Sequence, residues 1–186
     1  MKMIQAGRNI HWYRLYKLYY EAFPAYERKP FSLIRSMQKK GKSDVWYFEK
    51  NGQFAGLVFT INSDELILID YLAIVSNRRG EGIGSEIIAK LREHYAEKGI
   101  FVEIESVFDK CDNSDERLRR KHFYLNNGMV PMNVMIILFG VEMELLGIDC
   151  CLTYDEYYSF YKDNYGDFAT KNIKPAVYPN EEIQYE

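Results

Sequence analysis

Three glycines at alternate positions, Gly80, Gly82 and Gly84, form the stretch of this sequence best suited to bind an anion. Arg78 and Arg79 come directly before them and add fixed positive charge. Glycines leave backbone N–H groups uncovered where a helix begins, and the first turn of a helix has unsatisfied donors and a dipole that favours negative charge. The pattern predicts a phosphate cradle. A glycine-rich turn without a ligand is the structural alternative.

The residues on either side of the glycines predict a strand before the turn and a helix after it. Residues 67–75 are apolar apart from Asp70 and Tyr71, which is typical of a strand covered on both faces. After the turn, apolar residues recur every four positions along one helix face: Ile83, Ile87, Leu91 and Tyr95.

Two common phosphate-binding motifs do not fit these glycines. A Walker loop requires a lysine after its last glycine, and Ser85 follows Gly84 here. A dinucleotide fingerprint requires a third glycine where this sequence has Ser85 or Ile87. The turn therefore belongs to another class of phosphate-binding loop.

Residues 79–84, with the sequence RGEGIG, resemble the pyrophosphate loop of the GNAT family of N-acetyltransferases, whose pattern is [RQ]-x-x-G-x-[GA]. A second segment, HFYLNNGM at residues 122–129, is similar to the family's FYxxxGF segment, with Met129 in place of the final Phe. The two matches occur in the family's order, and the family-like region extends over residues 45–139.

The resemblance implies an α/β (α+β) GNAT fold with a central mixed twisted sheet of about six to seven strands, flanked by helices on both faces. We expect residues 1–186 to form a single acetyltransferase domain, with residues 165–186 as a wrapping C-terminal tail. Asn9 is the predicted N-cap of the first helix, whose aromatic residues indicate a core-facing side or, alternatively, a pocket wall.

The resemblance also implies acetyl-CoA as co-substrate. The strand at residues 72–74 is expected to pair with the pantetheine arm and to supply a backbone N–H as oxyanion donor. An Asn usually expected about seven residues before the family's tyrosine is absent, since Arg117 stands there. Asn113 is the predicted replacement, and loss of this contact is the alternative. The predicted cofactor-binding residues are Leu72, Ala73, Ile74, Arg78, Arg79, Gly80, Gly82, Ile83, Gly84, Ser85, Asn113 and Tyr124.

Three side chains are candidates for the chemistry. Tyr124 matches the family's tyrosine that protonates the CoA sulfur, and a phenol with an ordinary pKa of about 10 keeps its proton at neutral pH. A core tyrosine is the alternative. Asp70 on its apolar strand and Glu105 on the next strand are candidate general bases, since a buried carboxylate is costly unless it is paired or used. Water chains could replace a side-chain base.

In the family, the region between the first two helices borders the acceptor site. Residues 24–30, between two prolines, lie in this region. Glu27 and Arg28 are therefore the predicted substrate-binding residues, with a solvated turn as the alternative. Arg117, Arg119, Arg120 and Lys121 indicate a solvated helix face from which one or two side chains could reach the 3′-phosphate of CoA.

Composition excludes several other classes of protein. The formal net charge of −3 gives no global basic field for nucleic acid, and we expect no nucleic-acid partner. The N-terminal residues have no apolar signal core and no run approaches membrane-spanning length, so a cytoplasmic protein without a membrane partner is expected. Cys111, Cys150 and Cys151 form no CxxC pair, and no metal site is expected.

The resemblance to the GNAT family implies an acyl-CoA-dependent N-acyltransferase. It would move an acetyl group from acetyl-CoA to a primary amine of a small molecule or peptide by direct attack in a ternary complex. A non-catalytic acyl-CoA-binding regulator on the same fold and a different phosphate-ligand binder, such as a nucleotide module, are the alternatives. The tyrosine-rich C-terminal region could serve a homodimer interface.

Overall fold

The computed structural model describes residues 1–7, 12–108 and 111–179. The chain divides into two compact units, residues 1–100 and 101–186. The predicted helix cap at Asn9 lies outside the described residues, as does the end of the predicted tail from residue 180 onwards.

The described part of the first unit contains four complete strands and three helices. In chain order these are β1 (Lys2–Gln5), α1 (Trp12–Ala22), α2 (Phe31–Lys39), β2 (Ser43–Lys50), β3 (Gln53–Asn62), β4 (Leu66–Ile74) and α3 (Ile83–His94). The four strands pair antiparallel in chain order. Asn51 and Gly52, with φ of 57° and 75°, close the β2–β3 hairpin that the Asn-Gly pair favours.

Helices cover both faces of these strands. α1 and α2 bury Leu15, Tyr19 and Ile34 in one cluster with Phe59 and Tyr71. On the opposite face, the Trp46 ring contacts those of His94 and Tyr95 at the end of α3, with centroids 4.8 and 6.4 Å apart. In α1 only part of the predicted aromatic face is core, because Tyr13, Tyr16 and Tyr20 are exposed.

The second unit continues β5 (Gly99–Glu105), which begins at the last two residues of the first. It then forms α4 (Ser114–Asn126), β6 (Val130–Leu138), β7 (Val141–Ile148), α5 (Tyr154–Tyr165), α6 (Asp167–Thr170) and β8 (Ile173–Ala176). Both β7 and β8 pair antiparallel with β6. The tyrosine-rich α5 starts with a capping box between Thr153 and Glu156 and buries Tyr157, Phe160 and Tyr161.

The described residues thus contain eight strands, and the predicted number of about six to seven was wrong. The strand that the sequence did not predict is β8, which lies in the segment expected to be a wrapping C-terminal tail. It has four residues including Pro175, and it is held by pairing with β6 rather than by its own apolar pattern.

Among the helices in these described ranges, none combines the length and the apolar character that a membrane span requires.

Candidate active site

The glycine turn joins β4 to α3 and presents its backbone to solvent. Gly80 and Gly82 are exposed, with φ of 82° and 72°, in the left-handed region that favours glycine. A Cβ built on either residue would meet nothing within 4 Å. Gly82 is the N-cap of α3, so the N–H groups of Ile83, Gly84 and Ser85 have no intrahelical partner. The turn has the backbone geometry that binds phosphate groups.

Two acidic residues beside this turn are each paired with a basic side chain. Arg78 Nη2 donates to Glu81 Oε2 at 3.0 Å, and its Nη1 donates to the Lys50 carbonyl at 3.3 Å. Lys50 Nζ pairs with Glu86, and this hydrogen bond lowers the pKa of the Glu86 carboxyl. Arg78 therefore links the glycine turn to the end of β2 through these two hydrogen bonds. Arg79 lies on the same turn and is exposed.

Asp70 is the extra residue of a β-bulge in β4. Tyr71 pairs with Phe59 and Ile69 pairs with Thr60, so no residue of β3 stands opposite Asp70. Bulges re-aim a side chain and are common next to active sites. The sequence marked Asp70 as an exception on an apolar strand but did not predict the bulge.

The predicted pantetheine strand forms the last three positions of β4. Leu72 and Ala73 pair with Val58 and Leu57, and Ile74 pairs with Gly56. A Cβ on Gly56 would lie 2.6 Å from the Ala73 carbonyl oxygen, so β3 requires glycine there.

The loop between α1 and α2, residues 24–30, is held against β4 next to the bulge at Asp70. The Tyr71 hydroxyl donates to the Glu27 carbonyl at 2.8 Å and accepts from the Lys29 N–H at 3.0 Å. The Tyr19 hydroxyl donates to the Lys29 carbonyl at 3.0 Å, and Lys29 Nζ lies 2.6 Å from Asp70 Oδ1. Burial raises the pKa of Tyr19 to about 12 and that of Tyr71 further, so both phenols keep their protons at neutral pH.

The two predicted acceptor residues lie in this fastened loop. Glu27 is exposed, and its backbone carbonyl is the group that Tyr71 binds. The Arg28 guanidinium lies over the Tyr20 ring, 4.3 Å from its centroid, which orients it by a cation–π contact. The sequence showed only that this loop lies between two prolines. In the structure, hydrogen bonds to β4 position it.

In the second unit, Tyr124 is a buried residue of α4. Burial raises its pKa to about 12, and the nearby positive charge of Arg120 opposes part of that rise. The phenol therefore stays protonated at neutral pH and can donate a proton.

Glu105, at the end of β5, is held by two arginines of α4. Its Oε1 accepts from Arg117 Nη2 at 3.0 Å and its Oε2 from Arg120 Nη1 at 3.2 Å. Arg117 Nη1 also donates to the Ser106 carbonyl at 3.0 Å, so the residue that replaces the expected Asn joins α4 to the end of β5. Asn113 lies at the N-cap position of α4, where its Oδ1 accepts from Cys111 Sγ at 2.9 Å.

Lys121 does not belong to the solvated face predicted for α4. It is fully buried, and its Nζ lies 2.6 Å from Oε2 of the equally buried Glu144 on β7. Glu144 also accepts from the Val107 N–H and the Tyr178 hydroxyl, both at 3.2 Å. The prediction was wrong because helix periodicity does not reveal a buried carboxylate on a distant strand.

Comparison with known proteins places this chain among acetyltransferases. Residues 12–128 match the family model described as Acetyltransferase (GNAT) family. The protein named Putative acetyltransferase YjbC, from Bacillus subtilis (strain 168), is 32% identical over 117 residues, which are 61% of this chain and 57% of YjbC. The match thus spans a little more than half the length of that curated relative.

Solved structures share the fold. A GNAT-family protein of Bacteroides thetaiotaomicron has a TM-score of 0.74 at 17% identity, covering 90% of this chain and 99% of that one. Spermidine N-acetyltransferase of Vibrio cholerae, solved with CoA and spermine, has a TM-score of 0.58 at 12% identity, with 78% and 94% covered. The predicted α/β fold, a mixed sheet flanked by helices, is confirmed. The family model covers more than half of the sequence, and the chain therefore belongs to the GNAT family of acetyltransferases.

Proposed function

We propose that this protein is an N-acetyltransferase that moves the acetyl group of acetyl-CoA to a primary amine of a small molecule or peptide. The observation that carries the proposal is the exposed glycine turn at the start of α3, within the residues that match the family model. A fold neighbour with such an activity was solved with CoA, which supports CoA as the ligand of this turn.

In this proposal the chain binds the donor mainly through its backbone. The N–H groups of residues 82–85 hold the diphosphate, with Gly80 shaping the turn and Arg79 adding charge. Leu72, Ala73 and Ile74 hold the pantetheine arm, and one of their N–H groups stabilises the oxyanion. Asn113 is proposed as a further CoA contact. The amine attacks the thioester carbon directly, and Tyr124 protonates the departing thiolate, since its buried phenol keeps its proton.

Of the two carboxylates proposed as base, the contacts favour Asp70. Glu105 is bound by two guanidinium groups, one on each of its carboxylate oxygens. The partner of Asp70 is a lysine ammonium on a flexible stem, which an incoming amine can displace. Glu27 and Arg28 are proposed to bind the acceptor, because the contacts of the 24–30 loop hold them beside the end of β4.

A non-catalytic acyl-CoA-binding regulator is the second candidate. The observation that favours it is that both candidate bases, Asp70 and Glu105, are held in ion pairs. Such a protein would bind acetyl-CoA through the same turn but would transfer no acetyl group.

One substitution tests whether the glycine turn binds CoA. Gly82→Asp places a carboxylate in the open space above the start of α3, where the diphosphate must approach. Gly41→Asp is the matched control, because Gly41 is exposed, has the same φ of 72° and also has nothing within 4 Å of a Cβ. Calorimetry with CoA should show binding for the wild type and the control, and none for Gly82→Asp.

A thiol-release assay over a panel of primary amines then separates the two candidate functions. CoA release with at least one amine supports the acetyltransferase. CoA binding without release from any amine supports the regulator. If a folded Gly82→Asp protein binds CoA as tightly as the wild type, the proposed role of the turn is wrong.

A further inference from the structure

The contact between Lys29 and Asp70 places a primary amine of the chain itself at the proposed acceptor position. Lys29 Nζ lies 2.6 Å from Asp70 Oδ1, and the two side chains are 25% and 7% exposed. We infer that Lys29 is a self-acetylation site, whose amine takes the acetyl group of bound acetyl-CoA when no other acceptor is present. The inference rests on the proposed acetyltransferase function.

The backbone of Lys29 is held on both sides, which fixes where its side chain starts. Its N–H donates to the Tyr71 hydroxyl, and its carbonyl accepts from the Tyr19 hydroxyl, both at 3.0 Å. Holding a nucleophile near its target raises its effective concentration, and well-oriented intramolecular reactions gain most from this. Lys29 is therefore better prepared to react than a lysine on an unrestrained loop.

The distance that the amine must cover is short. Asp70 precedes Leu72, the first of the proposed thioester-binding residues, by two positions on β4, which corresponds to roughly 7 Å along a strand. The Lys29 side chain has a flexible stem of four methylene groups, which can turn once the ion pair with Asp70 opens. Rotation of this stem can carry Nζ from Asp70 towards the thioester without moving the loop.

The transfer balances without any further reactant. Asp70 takes a proton from the Lys29 ammonium, and the neutral amine forms a bond to the thioester carbon. The bond between that carbon and the CoA sulfur breaks, and the sulfur leaves as a thiolate that then takes up a proton. The products are acetyl-lysine at position 29 and free CoA, and nothing is oxidised or reduced. The product lysine carries no charge, so Asp70 loses its cation.

The competing interpretation is that Lys29 only neutralises a buried carboxylate, which is costly to leave unpaired. Lys50 supplies the matched control for chemical acetylation, because its side chain is 23% exposed and is also paired with a carboxylate, that of Glu86. Trypsin should release residues 29–35 as a peptide with Lys29 as its only lysine, since the bond before Pro30 resists cleavage.

The experiment incubates the full chain with isotope-labelled acetyl-CoA and no amine, and follows the label at each lysine by mass spectrometry. We expect Lys29 to be labelled about tenfold faster than Lys50 or more. The rate should not depend on protein concentration, and in Gly82→Asp the labelling of Lys29 should fall to that of Lys50. Lys29→Arg should remove this label while keeping a cation beside Asp70.

Three results would overturn the inference. Labelling of Lys29 no faster than Lys50, in a protein that binds acetyl-CoA by calorimetry, would make Lys29 a structural counter-ion and leave the proposed function intact. Equal labelling in wild type and Gly82→Asp would mean chemical acetylation only. A wild-type protein that binds no acetyl-CoA would overturn both the inference and the proposed function.

Discussion

Tyr124 is a buried phenol whose raised pKa bears directly on its proposed role. Its ring lies within 5.0 Å of the Phe123 ring, and desolvation keeps the hydroxyl neutral. A neutral phenol can donate a proton to a thiolate, whereas an ionised phenol cannot. The same burial would also suit a tyrosine that only packs, so the two roles must be separated by kinetics.

Tyr124→Phe should lower kcat with little change in the Kd for CoA. The substitution keeps the ring and its packing and removes only the proton donor. General acid catalysis contributes typically about 10²- to 10⁴-fold. We expect the lower end, because a thiolate leaves fairly well unaided. Rapid-mixing kinetics with a good acceptor would measure the chemical step, and calorimetry would measure CoA binding.

The pH profile supplies an independent check of this role. In the wild type kcat should not fall between about pH 8 and pH 10, the ordinary pKa of tyrosine. The raised pKa of Tyr124, about 12, places the loss of its proton above that range. If Tyr124→Phe keeps the full rate with chemistry rate-limiting, Tyr124 is a packing residue.

At the scale of secondary structure, the buried pair of Lys121 and Glu144 joins four parts of the second unit. The pair connects α4 to β7, and Glu144 also binds the N–H of Val107 after β5 and the hydroxyl of Tyr178 in the tail. A buried ion pair is weak evidence of net stabilisation, but removing one partner leaves an uncompensated charge.

Lys121→Met should therefore destabilise the protein by about 3–5 kcal/mol, because Glu144 would remain buried without its cation. The double variant Lys121→Met, Glu144→Leu should recover much of that loss, since neither charge remains. Urea unfolding of both variants and the wild type measures the difference. A double variant no more stable than Lys121→Met would show that the contacts of Glu144 with Val107 and Tyr178 matter more than the pair.

The 24–30 loop offers a second test at this scale. Tyr71→Phe removes one hydroxyl that both donates to the loop and accepts from it. The loop should open more often, so trypsin should cleave after Arg28 faster, and the acceptor KM should rise while the Kd for CoA is unchanged. Cleavage after Arg79, in the glycine turn, is the internal control. Unchanged cleavage after Arg28 would mean that the other contacts of the loop hold it alone.

At this scale, a feature could be predicted from the sequence when the residues that form it are close together in the chain. The glycine turn, α3 and α4 were predicted because the residues that form each one are neighbours in the sequence. Asp70 was noticed as a polar exception, but its partner Lys29 lies 41 residues away. β8 and the burial of Lys121 were missed for the same reason, since each depends on a distant strand.

Over the whole molecule, buried tyrosines with raised pKa values link stability to alkaline pH. They are Tyr19, Tyr71, Tyr95, Tyr124 and Tyr157. Their unfolded pKa is about 10, so above this pH the unfolded chain loses protons that the folded protein retains. The stability that the neutral phenols contribute is complete below about pH 10 and is lost as pH rises through the folded values.

We therefore expect the free energy of unfolding, measured with urea, to fall above about pH 10, by up to about 1.4 kcal/mol per pH unit for each such tyrosine. The exposed tyrosines should contribute the first rise in tyrosinate absorbance, and the rise from the buried tyrosines should coincide with unfolding. Tyr95→Phe should reduce the pH dependence by one proton. Tyrosinate absorbance that rises fully in the folded protein would contradict this linkage.

The bulge in β4 has a consequence for how the chain tolerates changes in length. Asp70 stands outside the ladder, so a chain shortened by this single position would bring Ile69 and Tyr71 together opposite the neighbouring residues Thr60 and Phe59. The remaining side chains would alternate without interruption, and the hydrogen-bonded pairs would keep their partners. The pairing of β3 with β4 therefore does not require this residue. Asp70 is an insertion that the scaffold could do without, and its carboxylate is what the extra residue adds.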